Sequence, residues 1–229
     1  MICISCNEEH DGNFCPNCGE KAQVPKITFR SILNDAARTV TNMDKGFLFN
    51  IKNLFFAPKT VVIDYLQGKR KKIFNPISFL IISVTIYIIG ESFFKVQGES
   101  TPIDSKIYSI GYEAGKFIQS YFKYFWILSI IWLSISTRLI FGKYNFAEHL
   151  AINAFVVGQT TLVGLIWFLI FRTSLFFNPI VYFMIFCILY NLFKKKKRDF
   201  ETFLLSVLST VLFLVQLVII VVLIGVLRS

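Results

Sequence analysis

The chain has few of the residues on which catalysis usually relies. Among 229 residues there are two histidines, His10 and His149, and 14 acidic residues against 24 basic ones. Two histidines that far apart cannot form a His-Glu-x-x-His metalloprotease pattern. No Gly-x-Ser-x-Gly elbow, Walker loop or dinucleotide fingerprint is present either. With no clustered acids, bases and nucleophiles, an enzyme is not expected. Charge is scarce as well: 17% of residues are charged and 55% are hydrophobic, too little charge to cover the surface of a soluble domain. Residues 1–20 contain no apolar run of the kind that opens a secretory leader, so membrane insertion is expected to start at the first internal hydrophobic span.

Four of the five cysteines fall in two Cys-x-x-Cys pairs, Cys3/Cys6 and Cys15/Cys18, eight residues apart. Each pair can present two thiolates to one ion, and two pairs complete a closed tetrahedral site of the kind that holds structural zinc. A closed site has no free coordination position, so the ion holds shape and does no chemistry. Thiols kept ready for zinc imply a reducing compartment, which places the amino terminus in the cytoplasm. Residues 1–22 are therefore expected to form a zinc ribbon whose folding energy comes largely from the metal. Gly19 provides a tight turn after the second pair. His10 is expected to be solvated, and Cys187, in an apolar run, to pack as a small hydrophobe.

Residues 23–75 read as cytoplasmic or interfacial amphipathic helices. Phe29, Ile32, Leu33, Ala36, Ala37, Val40 and Met43 recur at helical spacing over 28–43. A phenylalanine-rich stretch spans 47–56, and a short helix opens at Pro58 and closes at Gly68. Helices so rich in phenylalanine, beside a basic cluster, suit the headgroup layer. Residues 76–229 read as an all-α transmembrane bundle of about five helices, at 77–94, 117–141, 150–171, 174–193 and 203–227, each judged against the ~20 residues that cover a bilayer. The +10 net charge collects beside these runs. Lys69, Arg70, Lys71 and Lys72 precede the first span, and Lys194, Lys195, Lys196, Lys197 and Arg198 precede the last. Both clusters act as membrane anchors that can meet anionic headgroups, and both fall inside if the amino terminus is cytoplasmic. An odd number of spans then puts the carboxy terminus outside. Nucleic acid is not an expected partner, because the charge forms no continuous face.

The stretch Asp44-Lys45-Gly46-Phe47, then Pro58, then Tyr65-Leu66-Gln67-Gly68-Lys69-Arg70, then Asn75-Pro76, resembles a family of uncharacterised bacterial membrane proteins common in Bacteroidetes, domain of unknown function 3667. The resemblance implies an amino-terminal zinc ribbon, a short motif ending in Gly-Lys-Arg, several transmembrane helices and a bacterial inner-membrane location. No activity comes with it.

Polar residues inside the spans are the remaining candidates. Glu148 and His149 stand at the start of the third span, Asn153 and Gln159 lie within it, and Gln216 is central in the last. Such residues are costly in lipid and can line a substrate or proton path. They can equally join helices, a reading favoured by the small-residue seam Ala147, Ala151, Ala154, Gly158 and Thr161. The expected function is a non-enzymatic membrane protein that uses its ribbon to dock a cytoplasmic protein partner or assemble with one, self-association being left open. A small transporter or channel, and a zinc or redox sensor, are the alternatives.

Overall fold

The computed structural model describes residues 1–22, 27–31, 46–70, 72–94, 115, 118, 121–194 and 199–228. Most of the 28–43 helix, Lys71, most of the 95–116 loop and the run 195–198 lie outside the described residues. After the cysteine-bearing segment come α1 (Gly46–Phe56), α2 (Pro58–Leu66), α3 (Pro76–Ser92), α4 (Tyr121–Phe141, with a 3-10 turn at Trp126–Leu128), α5 (Phe146–Phe171), α6 (Pro179–Phe193) and α7 (Asp199–Arg228). The fold is a helix bundle, and no strand occurs among the described residues.

Three helices, α4, α5 and α7, are long and apolar enough to cross a membrane. The other two expected spans are shorter. α3 has 17 residues, and α6 has 15 where the sequence suggests 20 across 174–193. The difference at α6 has a local cause. Pro179 occupies the first turn, and Leu175–Phe177 form a separate 3-10 turn before it, so these apolar residues add hydrophobicity without extending the helix. α5 differs in the other direction. Its amino terminus moves from the expected position 150 back to Phe146, because Asn145 and Glu148 form a reciprocal capping box. α7 likewise starts at Asp199 rather than 203.

The helices alternate in direction, as their end contacts show. At one end Lys123 on α4 meets Glu91 on α3 at 2.6 Å, and the Arg172 guanidinium after α5 lies 3.7 Å from the ring of Phe94 after α3. At the other end Phe141 of α4 stacks on Phe193 of α6 at 3.9 Å, and His149 of α5 lies 6.1 Å from the same ring. Lys123 is thus held in a mostly buried ion pair with Glu91.

α5 is the axis of the bundle; from Leu150 to Thr161 every residue is buried. A side chain on Gly158 would sit 2.7 Å from the Phe79 ring and 3.2 Å from the Leu80 backbone, so this position brings α3 and α5 together closely. That contact also sets the register: α3 begins beside the middle of α5, not beside its start. The flank below is taken by α1 and α2. Tyr65 packs edge-on against Phe155 at 5.5 Å, Phe47 lies 5.3 Å from Phe79, and Leu54, Val61 and Val62 join the buried core. On the far side of α1, Leu48, Phe55 and Phe56 are exposed beside Lys52.

Candidate functional site

The cysteine pairs are two near copies of one turn, related by an offset of twelve residues. Cys3 N–H donates to the Glu8 carbonyl at 2.9 Å, and Cys15 N–H to the Glu20 carbonyl at 2.8 Å. Asn7 N–H returns to Cys3 O and Gly19 N–H to Cys15 O, at 3.0 and 2.7 Å. Isolated bridges pair Ile2 with Glu9 and Phe14 with Lys21. Each turn needs one residue at positive φ, namely Asn7 at 61° and Gly19 at 68°. Glycine and asparagine are the residues that adopt this conformation most readily.

This backbone aims amides at sulfur. Cys3 accepts from the N–H groups of Cys6 and Ser5, and Cys15 from those of Cys18 and Asn17. Cys6 accepts from Glu8, and Cys18 from Glu20. The Cys18 N–H is the main reason the Cys15 thiol is held down at about 6, already a thiolate at neutral pH. For Cys6 the Glu8 N–H favours the thiolate, but burial and the neighbouring sulfurs prevail and push it up to about 12. Cys3 is likewise held down and Cys18 pushed up, so the tight cluster sets two low thiols beside two high ones, as expected where like charges crowd.

The four sulfurs lie within 4.8 Å of one another, with Cys3–Cys18 at 3.4 Å and Cys6–Cys15 at 3.5 Å. A tetrahedral ion with metal–sulfur bonds of about 2.3 Å sets its sulfurs about 3.8 Å apart, so the group fits a metal ion. Cys3 and Cys15 are buried. His10 stays out of the cluster but is not solvated as expected. It is half-buried, with both ring nitrogens shielded from water, and its main chain pairs with Met1.

The intramembrane polar residues are not brought together along one route. The Glu148 carboxylate caps its own helix, accepting the Asn145 N–H at 2.8 Å. His149 Nδ1 contacts Thr137 Oγ1 at 3.1 Å, and Asn153 Nδ2 donates to Thr137 Oγ1 and Ser134 Oγ at 2.8 and 3.2 Å. Gln159 turns elsewhere and donates to the Ile51 carbonyl of α1 at 3.2 Å. Gln216 accepts from Ser136 at 2.9 Å. Apart from Glu148, these are joints between helices. The hydroxyls of α4 serve three of them, Thr137 both His149 and Asn153, Ser134 Asn153 as well, and Ser136 Gln216; their close spacing in the sequence was the available signal.

In the basic stretch, Gly68, at φ 98°, ends α2 and lets Lys69 N–H reach back to Asp64 O at 2.9 Å. Lys69 Nζ then meets Asp64 at 3.3 Å, and Arg70 folds over the Tyr65 ring at 4.9 Å, its Nε donating to Tyr65 O. Lys72 is exposed. Asn75 caps α3 by accepting from the Ile77 and Ser78 amides. Upstream, the Asn50 side chain, in a position with no sequence motif to flag it, both donates to Phe74 O and accepts from Phe74 N–H, each at 3.2 Å.

Fold and site together define a helical protein of membrane type with an amino-terminal four-cysteine cluster able to hold a metal ion. Within it, residues 44–88 match the model of a protein family of unknown function, DUF3667. The matched segment is α1, α2, the basic stretch and most of α3. No curated protein and no solved structure matches the chain.

Proposed function

We propose that the chain is a non-enzymatic integral membrane protein whose zinc-loaded amino-terminal ribbon docks or assembles a partner protein at the cytoplasmic face of a bacterial inner membrane. The observation that carries this reading is the closure of the cysteine cluster. All four ligand atoms come from the two turns, two of the cysteines are buried, and no position remains for a substrate. Cys3, Cys6, Cys15 and Cys18 would hold the ion, and its contribution when bound is to lock the two turns together. The exposed Ile2, Ile4 and Phe14 then give the ribbon an apolar surface out of proportion to its size, as a docking module needs. The polar residues of the bundle support the same reading, since they serve as joints between helices.

The sidedness part of the proposal rests on thiol chemistry and on the distribution of basic residues. Lys59, Lys143 and Lys194 gather at the bundle end where α4 and α6 stop and α7 begins, the same end that receives the 194–198 basic cluster in the sequence. Reporter fusions after Ile103 and at Ser229 should both read periplasmic; a cytoplasmic signal from either would overturn the orientation. For function, tagged full-length protein is compared with Cys15→Ser/Cys18→Ser by co-purification from membranes. The variant should lose a discrete set of partners while remaining in the membrane. An unchanged partner set would refute docking through the ribbon.

A further inference from the structure

At that same end of the bundle, α2, α4, α6 and α7 surround a cleft of about 230 Å³ with a mixed lining. Lys59, Lys143 and Lys194 contribute three ammonium groups against the carboxylates of Glu201 in the lining and Asp199 at its edge, an excess of one positive charge, while Phe141 and Phe193 form an apolar floor. The lysines are held in place. Lys59 reaches from α2 to donate to the Lys194 carbonyl at 2.7 Å, Lys194 meets Asp199 at 3.4 Å, and Lys143 lies 4.9 Å from the Tyr144 ring. The floor is equally fixed, as its two rings stack almost parallel, 6° apart.

We propose that this cleft is a binding site for the headgroup of an anionic phospholipid. An excess of fixed positive charge selects an anion, and the stacked aromatic floor favours one that brings apolar atoms with it. The continuation along α7 points the same way. Leu204 and Leu208 follow Glu201 at i+3 and i+7 on one face and are 50% and 55% exposed, an open apolar track leading from the cleft toward the membrane interior. Free phosphate could use the lysines but would gain nothing from the phenylalanines or leucines. A zwitterionic lipid could use the track but would gain little from the lysines. Only an anionic lipid uses both. The site differs from the Lys69–Lys72 cluster, where Lys69 and Arg70 are taken up by Asp64 and Tyr65, and the proposal does not depend on what the ribbon binds.

The test is native mass spectrometry of the full chain in non-ionic detergent with equal amounts of phosphatidylglycerol and phosphatidylcholine. The wild type should retain phosphatidylglycerol in preference. Lys59→Gln/Lys143→Gln should lower that retention roughly tenfold, with phosphatidylcholine unaffected. Lys59→Arg/Lys143→Arg should restore it. If the double glutamine variant does not purify as a folded species, Lys143→Gln alone, at an exposed position, should still show a clear loss. Equal retention of the two lipids by the wild type would overturn the proposal, as would unchanged retention in the glutamine variants. Displacement of the lipid by millimolar inorganic phosphate would also overturn it, by showing that a free anion suffices.

Discussion

The side-chain amide of Asn50 and the main chain of Phe74 are joined by two hydrogen bonds of 3.2 Å, one in each direction. Asn50 is fully buried and Phe74 nearly so, which makes this a clamp between α1 and the lead-in to α3 that no water can replace. Asn50→Leu leaves the Phe74 N–H and carbonyl both without a partner, at about 1–3 kcal/mol each. The expected result is a clear drop in unfolding temperature in detergent. Asn50→Asp, which can accept but not donate, should fall between Leu and wild type. An unfolding temperature within error of wild type for Leu would show that the clamp does not stabilise the fold.

The cysteine cluster predicts a single zinc ion per chain by elemental analysis, lost in Cys15→Ser/Cys18→Ser. The pH dependence has a definite sign. Metal binding requires four thiolates, and Cys6, pushed up to about 12, must give up a proton to the ion. Binding therefore releases protons, and affinity falls as pH is lowered. Acidification should release zinc to a colorimetric indicator. Release that grows with rising pH instead would contradict the thiolate assignment.

Gly158 predicts overpacking. Its Cβ position meets the Phe79 ring at 2.7 Å and the Leu80 main chain at 3.2 Å; a ring can turn aside, but a helix backbone has to move. Gly158→Leu should destabilise the bundle by about 1–3 kcal/mol, read as a lower midpoint in denaturant. Gly115, whose Cβ position has nothing within 4 Å, serves as the control: Gly115→Ala should leave the midpoint unchanged.

Glu91 and Lys123 predict a double-mutant cycle. Both are mostly buried, and removing one leaves the other's charge in a poorly solvated place. Lys123→Met and Glu91→Gln should each lower stability, and the double variant should recover most of the loss. Additive losses would show that the two side chains act independently.

The parts of this architecture legible in the sequence are those governed by neighbours in the chain. The cysteine spacing marked the cluster able to hold a metal ion, and hydrophobic runs marked the helices long and apolar enough to cross a membrane. Asn145 and Glu148 spelled a capping box three residues apart, so the true start of α5 was available there as well. The twelve-residue repeat was readable too, in two copies of Cys-x-x-Cys followed by Asn or Gly and then Glu. What stayed hidden depends on partners far along the chain. Gln159 meets Ile51 across 108 residues, and Asn50 meets Phe74 across 24, distances over which periodicity carries no information. Leu175 to Phe177 misled for the opposite reason, since hydrophobicity alone does not separate a helical turn from the 3-10 turn these residues form.

The late start of α3 has a consequence for the surrounding lipid. At 17 residues this helix measures about 26 Å, short of a hydrocarbon layer of about 30 Å, whereas α7 with 30 residues reaches about 45 Å. Placed across a bilayer, one bundle would therefore ask for two thicknesses. The shortfall lies on the flank filled by α1 and α2, where Phe55 and Phe56 are exposed, so in a bilayer hydrophobic mismatch would be concentrated on a single side of the molecule.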